Sequence, residues 1–254
     1  MHVPTDIPTP QVRSRRWLGI LLLLFVGGCG TWLGFVVRDK RREAQASCMK
    51  CELKYLVLAF HNYHEAYGSF PPAVVRDEQA RPLYSWRVVL LPYLDQLELY
   101  KQFHLDEPWD SPHNLQFADQ MPVTFHARTE PESKRFTNYV VISGEFTPFP
   151  HGGVRSLDDV LDDKGNTILA SEITESDIVW SEPRDLDFDE MSLKLNDPDK
   201  HGISSVAWRQ PVAAMVDGSV RKLPQDVASE ELLGLLTISG QENVTLDELN
   251  GRLK

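Results

Sequence analysis

No Gly-rich phosphate loop, nucleophile elbow or triad signature occurs in the 254 residues. The usual local marks of nucleotide binding and acyl transfer are therefore missing. There is no internal repeat, and no low-complexity tract follows residue 12. With 42% hydrophobic and 25% charged residues, wholesale disorder, collagen and a coiled-coil rod are poor readings. What remains is one large domain or two small ones. Cysteine is scarce, and only Cys48 and Cys51 of the three lie near each other. Basic groups are scarce after residue 47: residues 48–254 hold 19 basic and 34 acidic groups, a balance of −15, against +4 before them. A body that acidic repels phosphate backbones, so its partners do not include nucleic acid.

Charge is absent altogether from Trp17 to Val37, a 21-residue run. As a helix it is about 31 Å long, which matches a bilayer core. Arg15 and Arg16 bound it on one side, and Arg38-Asp39-Lys40-Arg41-Arg42 on the other. Trp17 falls at an interface position. The run reads as a retained signal anchor. A cleaved signal peptide fits less well, because the run continues past any cleavage point. A lipoprotein signal at Val26-Gly27-Gly28-Cys29 would leave Thr31–Val37 as an apolar stub. Flanking cations nearly balance and do not fix the orientation.

Residues 1–16 are a short disordered cytoplasmic lead, Pro-rich through residue 12, in this reading. Neither Pro nor Gly occurs from 38 to 67, so the membrane helix is expected to run into an amphipathic spine helix over 38–67. Leu53, Leu56, Val57, Phe60 and Tyr67 mark its stripe, and Gly68 with Pro71-Pro72 its stop. Ser85 is placed to cap a helix reaching Phe103, which Pro92 divides. Residues 104–122 read as loop. Strands are expected at Val123–Ala127, Thr137–Ser143, Thr167–Ile173, Ile178–Trp180, Ser205–Ala207, Val212–Val216 and Ser219–Leu223. Asp217-Gly218 makes the last two a hairpin. Helices are expected at about Asp226–Leu236 and within Thr245–Leu253.

Three blocks carry a family resemblance: Leu58-Ala59-Phe60-His61-Asn62-Tyr63-His64-Glu65-Ala66-Tyr67-Gly68-Ser69-Phe70-Pro71-Pro72; Ser85-Trp86-Arg87 through Pro92 to Gln96, with Glu107-Pro108-Trp109-Asp110; and Val216-Asp217-Gly218-Ser219-Val220. Together they resemble a pilin-like bacterial family, domain of unknown function fifteen-fifty-nine, abundant in planctomycetes. The likeness spans roughly residues 50–223. It implies an α+β fold, with a long N-terminal helix (transmembrane half, then amphipathic half) packed on an antiparallel β-sheet. It also implies an N-terminus inside and a domain, 38–254, outside the cytoplasmic membrane. The structural motif carried over is His61, Asn62, Tyr63, His64, Trp86, Pro92, Trp109, Asp217 and Gly218. No catalytic residue comes with it. The chain departs from a prepilin in having no acidic residue between Trp17 and Val37, and its leader ends Arg16-Trp17-Leu18-Gly19.

Other groups invite chemistry. His61 and His64 lie i,i+3 beside Glu65 and resemble half a zinc site, although the spacing is not that of zinc peptidases. Hydrogen bonding between the helix end and the following loop is the favoured role. Cys48 and Cys51 fall within a helix rather than at its N-terminus, which speaks against redox catalysis; a disulfide through them is open, as are free thiols. Asp185, Asp187 and Asp189 open a calcium-like loop, but Glu190 stands where Gly is expected. No cofactor is expected unless calcium binds there. Ser111 with His113, or Asp217 with His201, show no catalytic pattern. The reading is a non-enzymatic, single-pass envelope protein, structural or interactive, partnering the membrane and, through the spine, itself or other pilin-like subunits. The alternatives are an extracytoplasmic module binding a ligand or calcium through 104–122 and 144–165, or a metal-dependent hydrolase.

Overall fold

Leu53, Leu56, Val57, Ala59 and Phe60 recur at helical spacing, and all five are buried. They lie on helix α1, residues 51–67, in the computed structural model, which describes residues 51–127, 133–205, 210–240 and 245–251. The helix ends where Gly68 adopts φ +75° and donates its N–H to His64 O at 2.7 Å, a left-handed cap that glycine adopts without steric penalty. Among the described residues no helix is long and apolar enough to cross a membrane. The expected span Trp17–Val37, Cys29, Cys48 and spine residues 38–50 lie outside them.

Beyond Gly68 a hairpin joins β1 (Val74–Arg76) to β2 (Pro82–Ser85). Its turn is held by Asp77, whose carboxylate accepts the N–H groups of Gln79 and Arg81, with Ala80 at φ 63°. Ser85 Oγ then accepts the Arg87 N–H and caps α2 (Trp86–Leu90). Pro92 stands in the 3-10 turn Leu91–Leu94, after which α3 (Leu97–Tyr100) forms. Tyr55 of α1 donates to Asp95 at 2.6 Å, tying the spine to this turn.

The main sheet has four antiparallel strands in the order β3 (Tyr139–Val140), β5 (Ile168–Glu172), β7 (Val212–Met215), β8 (Val220–Lys222). Two short strands, β4 (Ile142–Ser143) and β6 (Leu186–Asp187), pair in parallel beside it. Helices α4 (Ser229–Leu236) and α5 (Leu246–Gly251) follow. Side-chain alternation along β7 shows how the layers divide. Val212 and Ala214 join a core with α1, Trp86 and Phe149. Ala213 and Met215 join another with Leu232, Leu235 and Leu236 of α4 and Leu249 of α5. The sheet is thus covered on both faces, and the described fold is α+β.

Four expectations need correction. Val123–Ala127 is not a strand; Val123–Phe125 is a 3-10 turn launched from Pro122, with Phe125 buried. A short apolar run does not distinguish a strand from a buried turn. Ile178–Trp180 contributes only an isolated bridge, Val179 to Phe136. Tyr67 leaves the apolar stripe: it is 66% exposed and stacks on Tyr63 at 4.5 Å. The segment 86–103 is three short pieces rather than one kinked helix. Ser205–Ala207 lies partly outside the described residues.

Candidate functional site

The familiar blocks converge around the C-terminal half of α1. Phe60 packs on Trp86 at 4.9 Å and on Phe149 at 5.7 Å. His64 accepts the Leu157 N–H at its Nε2, 3.0 Å away, and lies 5.4 Å from the Phe70 ring. His61 is hydrogen-bonded to the Val216 backbone, and its Nε2 is buried without a hydrogen-bond partner. Burial, then the neighbouring His64, lowers the His61 pKa from its ordinary 6.5, against the pull of Val216 and Asp217. Gly218 (φ +90°) brings the β7–β8 turn against this ring; a β-carbon there would lie 3.6 Å from His61 Nε2. The two histidines therefore clasp the spine to the sheet and to the 156–159 turn, each facing a different element. They do not form a shared metal site.

Asn62 is exposed, and Tyr63 rests between Tyr67 and Tyr93. Trp109 is half-buried, and its backbone N–H donates to Leu83 O at 2.7 Å. The loop around it is organised by buried Asn114. This side chain accepts the His104 N–H and donates to the carbonyls of His104, Glu107 and Pro108. Asp217 Oδ1 accepts the Ser219 N–H at 2.8 Å, an ordinary turn bond. Cys51 is a free, exposed thiol.

The second block holds a group that the sequence reading did not single out, Arg87. It is fully buried, and the Asp185 side chain is only 2% exposed. Arg87 Nη2 meets Asp185 Oδ1 at 2.6 Å and Tyr139 O at 2.8 Å. Nε also reaches Tyr139 O, while Nη1 reaches Ser85 Oγ and Asp185 Oδ2. All five donors are used. The Asp185 carboxylate also accepts from Trp86 Nε1 and the Val141 N–H. Burial pushes the Asp185 carboxyl up and the Arg87 guanidinium down, and each charge pulls the other back. Four donors on the carboxylate favour its charged form against that burial.

This arrangement overturns the calcium-like reading of Asp185, Asp187 and Asp189. Asp185 faces inward, and its carboxylate is taken up by the donors from Arg87, Trp86 and Val141, which leaves it unavailable to a cation. Asp187 instead faces His151: Oδ2 to Nε2 is 3.7 Å. With Asp189 they are the only group of three or more His, Cys, Asp or Glu side chains among the described residues placed to share a metal ion. His151 and Asp187 line a groove of about 740 Å³ whose lining also includes Val74, Ile178, Leu186 and Met191, within the range of small-ligand clefts.

These features define an α+β domain with a spine helix clasped to an antiparallel sheet. Residues 39–148 match the family described as Protein of unknown function (DUF1559), the same family that the three sequence blocks resemble. No curated protein and no solved structure matches the chain.

Proposed function

We propose that the protein is a membrane-anchored, pilin-like structural or interaction subunit of the bacterial cell envelope, without turnover. In this reading Trp17–Val37 is a permanent single-pass anchor, the N-terminus is inside, and the domain stands outside the cytoplasmic membrane. One observation carries the reading. Helix α1 docks its apolar stripe on the sheet, and no Pro or Gly interrupts the sequence between Arg38, at the end of the uncharged run, and Tyr67. A helix docked in this way gives the domain a fixed N-terminal end for an anchor to hold. The exposed face of α1, with Leu58 and Tyr67, is the surface offered to a second copy or to another pilin-like subunit.

Protease digestion of intact and of permeabilised cells tests the topology. Cleavage within 104–122 in cells with an intact inner membrane and a breached outer layer supports the proposal. Protection until the inner membrane is lysed contradicts it. A second reading, an extracytoplasmic ligand-binding module, is favoured by the groove beside β6. Saturable stabilisation of the full chain by a small ligand distinguishes it from a scaffold.

A further inference from the structure

Asp187 is held by backbone on both sides. Strand β6 pairs with β4, and the Phe188 N–H donates to Ser143 O at 2.8 Å. Asp187 O accepts the N–H groups of Glu190 and Met191. This close pairing needs Gly144, where a β-carbon would fall 2.5 Å from Phe188 Cβ. The Asp189 N–H occupies Asp187 Oδ1 at 2.9 Å, leaving Oδ2 to face His151. His151 itself is followed by Gly152 and Gly153, the latter at φ +89°.

The spacing decides what this group can do. At 3.7 Å, His151 Nε2 and Asp187 Oδ2 are too far apart for a hydrogen bond. Two ligands about 2.1 Å from a shared zinc ion sit that far apart at an angle of about 120°. The three ligand atoms lie within 4.8 Å of one another. Ligands about 2.1 Å from a tetrahedral zinc lie roughly 3.4 Å apart, so the exposed Asp189 side chain must turn toward the other two to complete the set. Calcium takes oxygen ligands, whereas an imidazole with two carboxylates suits zinc and its transition-metal neighbours.

We propose that His151, Asp187 and Asp189 form a site for one divalent transition metal, zinc above all, at the rim of the 740 Å³ groove. Three protein ligands leave the fourth position to water or to a ligand in the groove. The site does not depend on the chain's being anchored or pilin-like.

The test uses the full chain, stripped with a chelator and titrated with zinc chloride, with calcium chloride in parallel. One equivalent of zinc is expected, with X-ray absorption at the zinc edge showing scattering from one imidazole ring. His151→Ala and Asp187→Asn should each weaken binding at least tenfold, while His113→Ala, away from the groove, should not. The His151 and Asp187 side chains are 49% and 38% exposed, so neither substitution empties a core. Zinc held equally well by His151→Ala, or a bound ion without imidazole scattering, overturns the site. So does a calcium preference indifferent to His151. The absorption spectrum of the unaltered chain decides the matter even if a variant folds poorly.

Discussion

The two faces of the main sheet are packed by different chemistry. Against α1 the core is aromatic: Phe60, Phe70, Trp86, Phe103, Phe117, Phe125, Tyr139, Phe149 and Trp180 are all buried there. The opposite face is aliphatic, its buried members drawn from Val, Ile, Leu, Met and Ala, with α4 and α5 as cover. Aromatic rings bring directional edge-to-face contacts and a larger buried area per residue, which suits the face that must hold the spine in one register. The aliphatic face closes the other side of the sheet without that demand. The family match, residues 39–148, spans α1 and most of the aromatic core. The aliphatic face comes largely from later in the chain. The spine-bearing half is thus the part that matches the family.

Leu56→Asp should break this comparison most severely. It buries a charge without a partner at a fully buried position of the spine, and the domain is expected to unfold. Unchanged thermal melting of the full-chain variant would sink the claim that α1 packs on the sheet. Next comes Arg87→Ala, which leaves Asp185 buried and unpaired and should cost about 3–5 kcal/mol in denaturant titration. The double variant Arg87→Met/Asp185→Leu should recover part of that loss, since two apolar groups replace two charges. Leu235→Ala on the aliphatic face should cost about 2–5 kcal/mol. Because β7 contributes to both cores, the transition should remain single; two resolved transitions would mean the faces unfold independently.

The smallest expected effect is one of pH. The folded-state pKa of His61 lies below its ordinary 6.5, so the unfolded chain binds a proton more readily than the folded one. The stability associated with neutral His61 is full above pH 6.5 and declines as pH falls through the folded value. His61→Gln should flatten that limb in melting curves recorded across the range. A limb of unchanged steepness would show that the ring is not the titrating group.

Much of the spine face was legible in the sequence, and for physical reasons. The Leu53–Phe60 stripe has helical period, Ser85 is a cap type, and Asp217-Gly218 is a turn type. Each is a local signal that survives folding. The groups that mattered most at the groove were not legible, because they are made by distant pairing. Arg87 and Asp185 are 98 residues apart, and nothing near Asp185 distinguishes a buried carboxylate from Asp187, which stays half-exposed. The Asp185-x-Asp187-x-Asp189 spacing suggested one ligand set, and the buried pairing of Asp185 with Arg87 divided it. His151 entered the site from another loop. The β1–β2 turn escaped notice because Ala80, not glycine, takes the positive φ. The parallel pairing of β4 with β6 is a two-residue contact too short to leave a periodic trace.

The central claim, a spine rooted in a permanent anchor, is tested most directly by the intact mass of the mature protein purified from its own membrane. The account predicts a chain that retains Trp17–Val37 and carries no lipid. A mass beginning at Cys29 with acyl chains attached, or a chain cleaved after the apolar run, would contradict it.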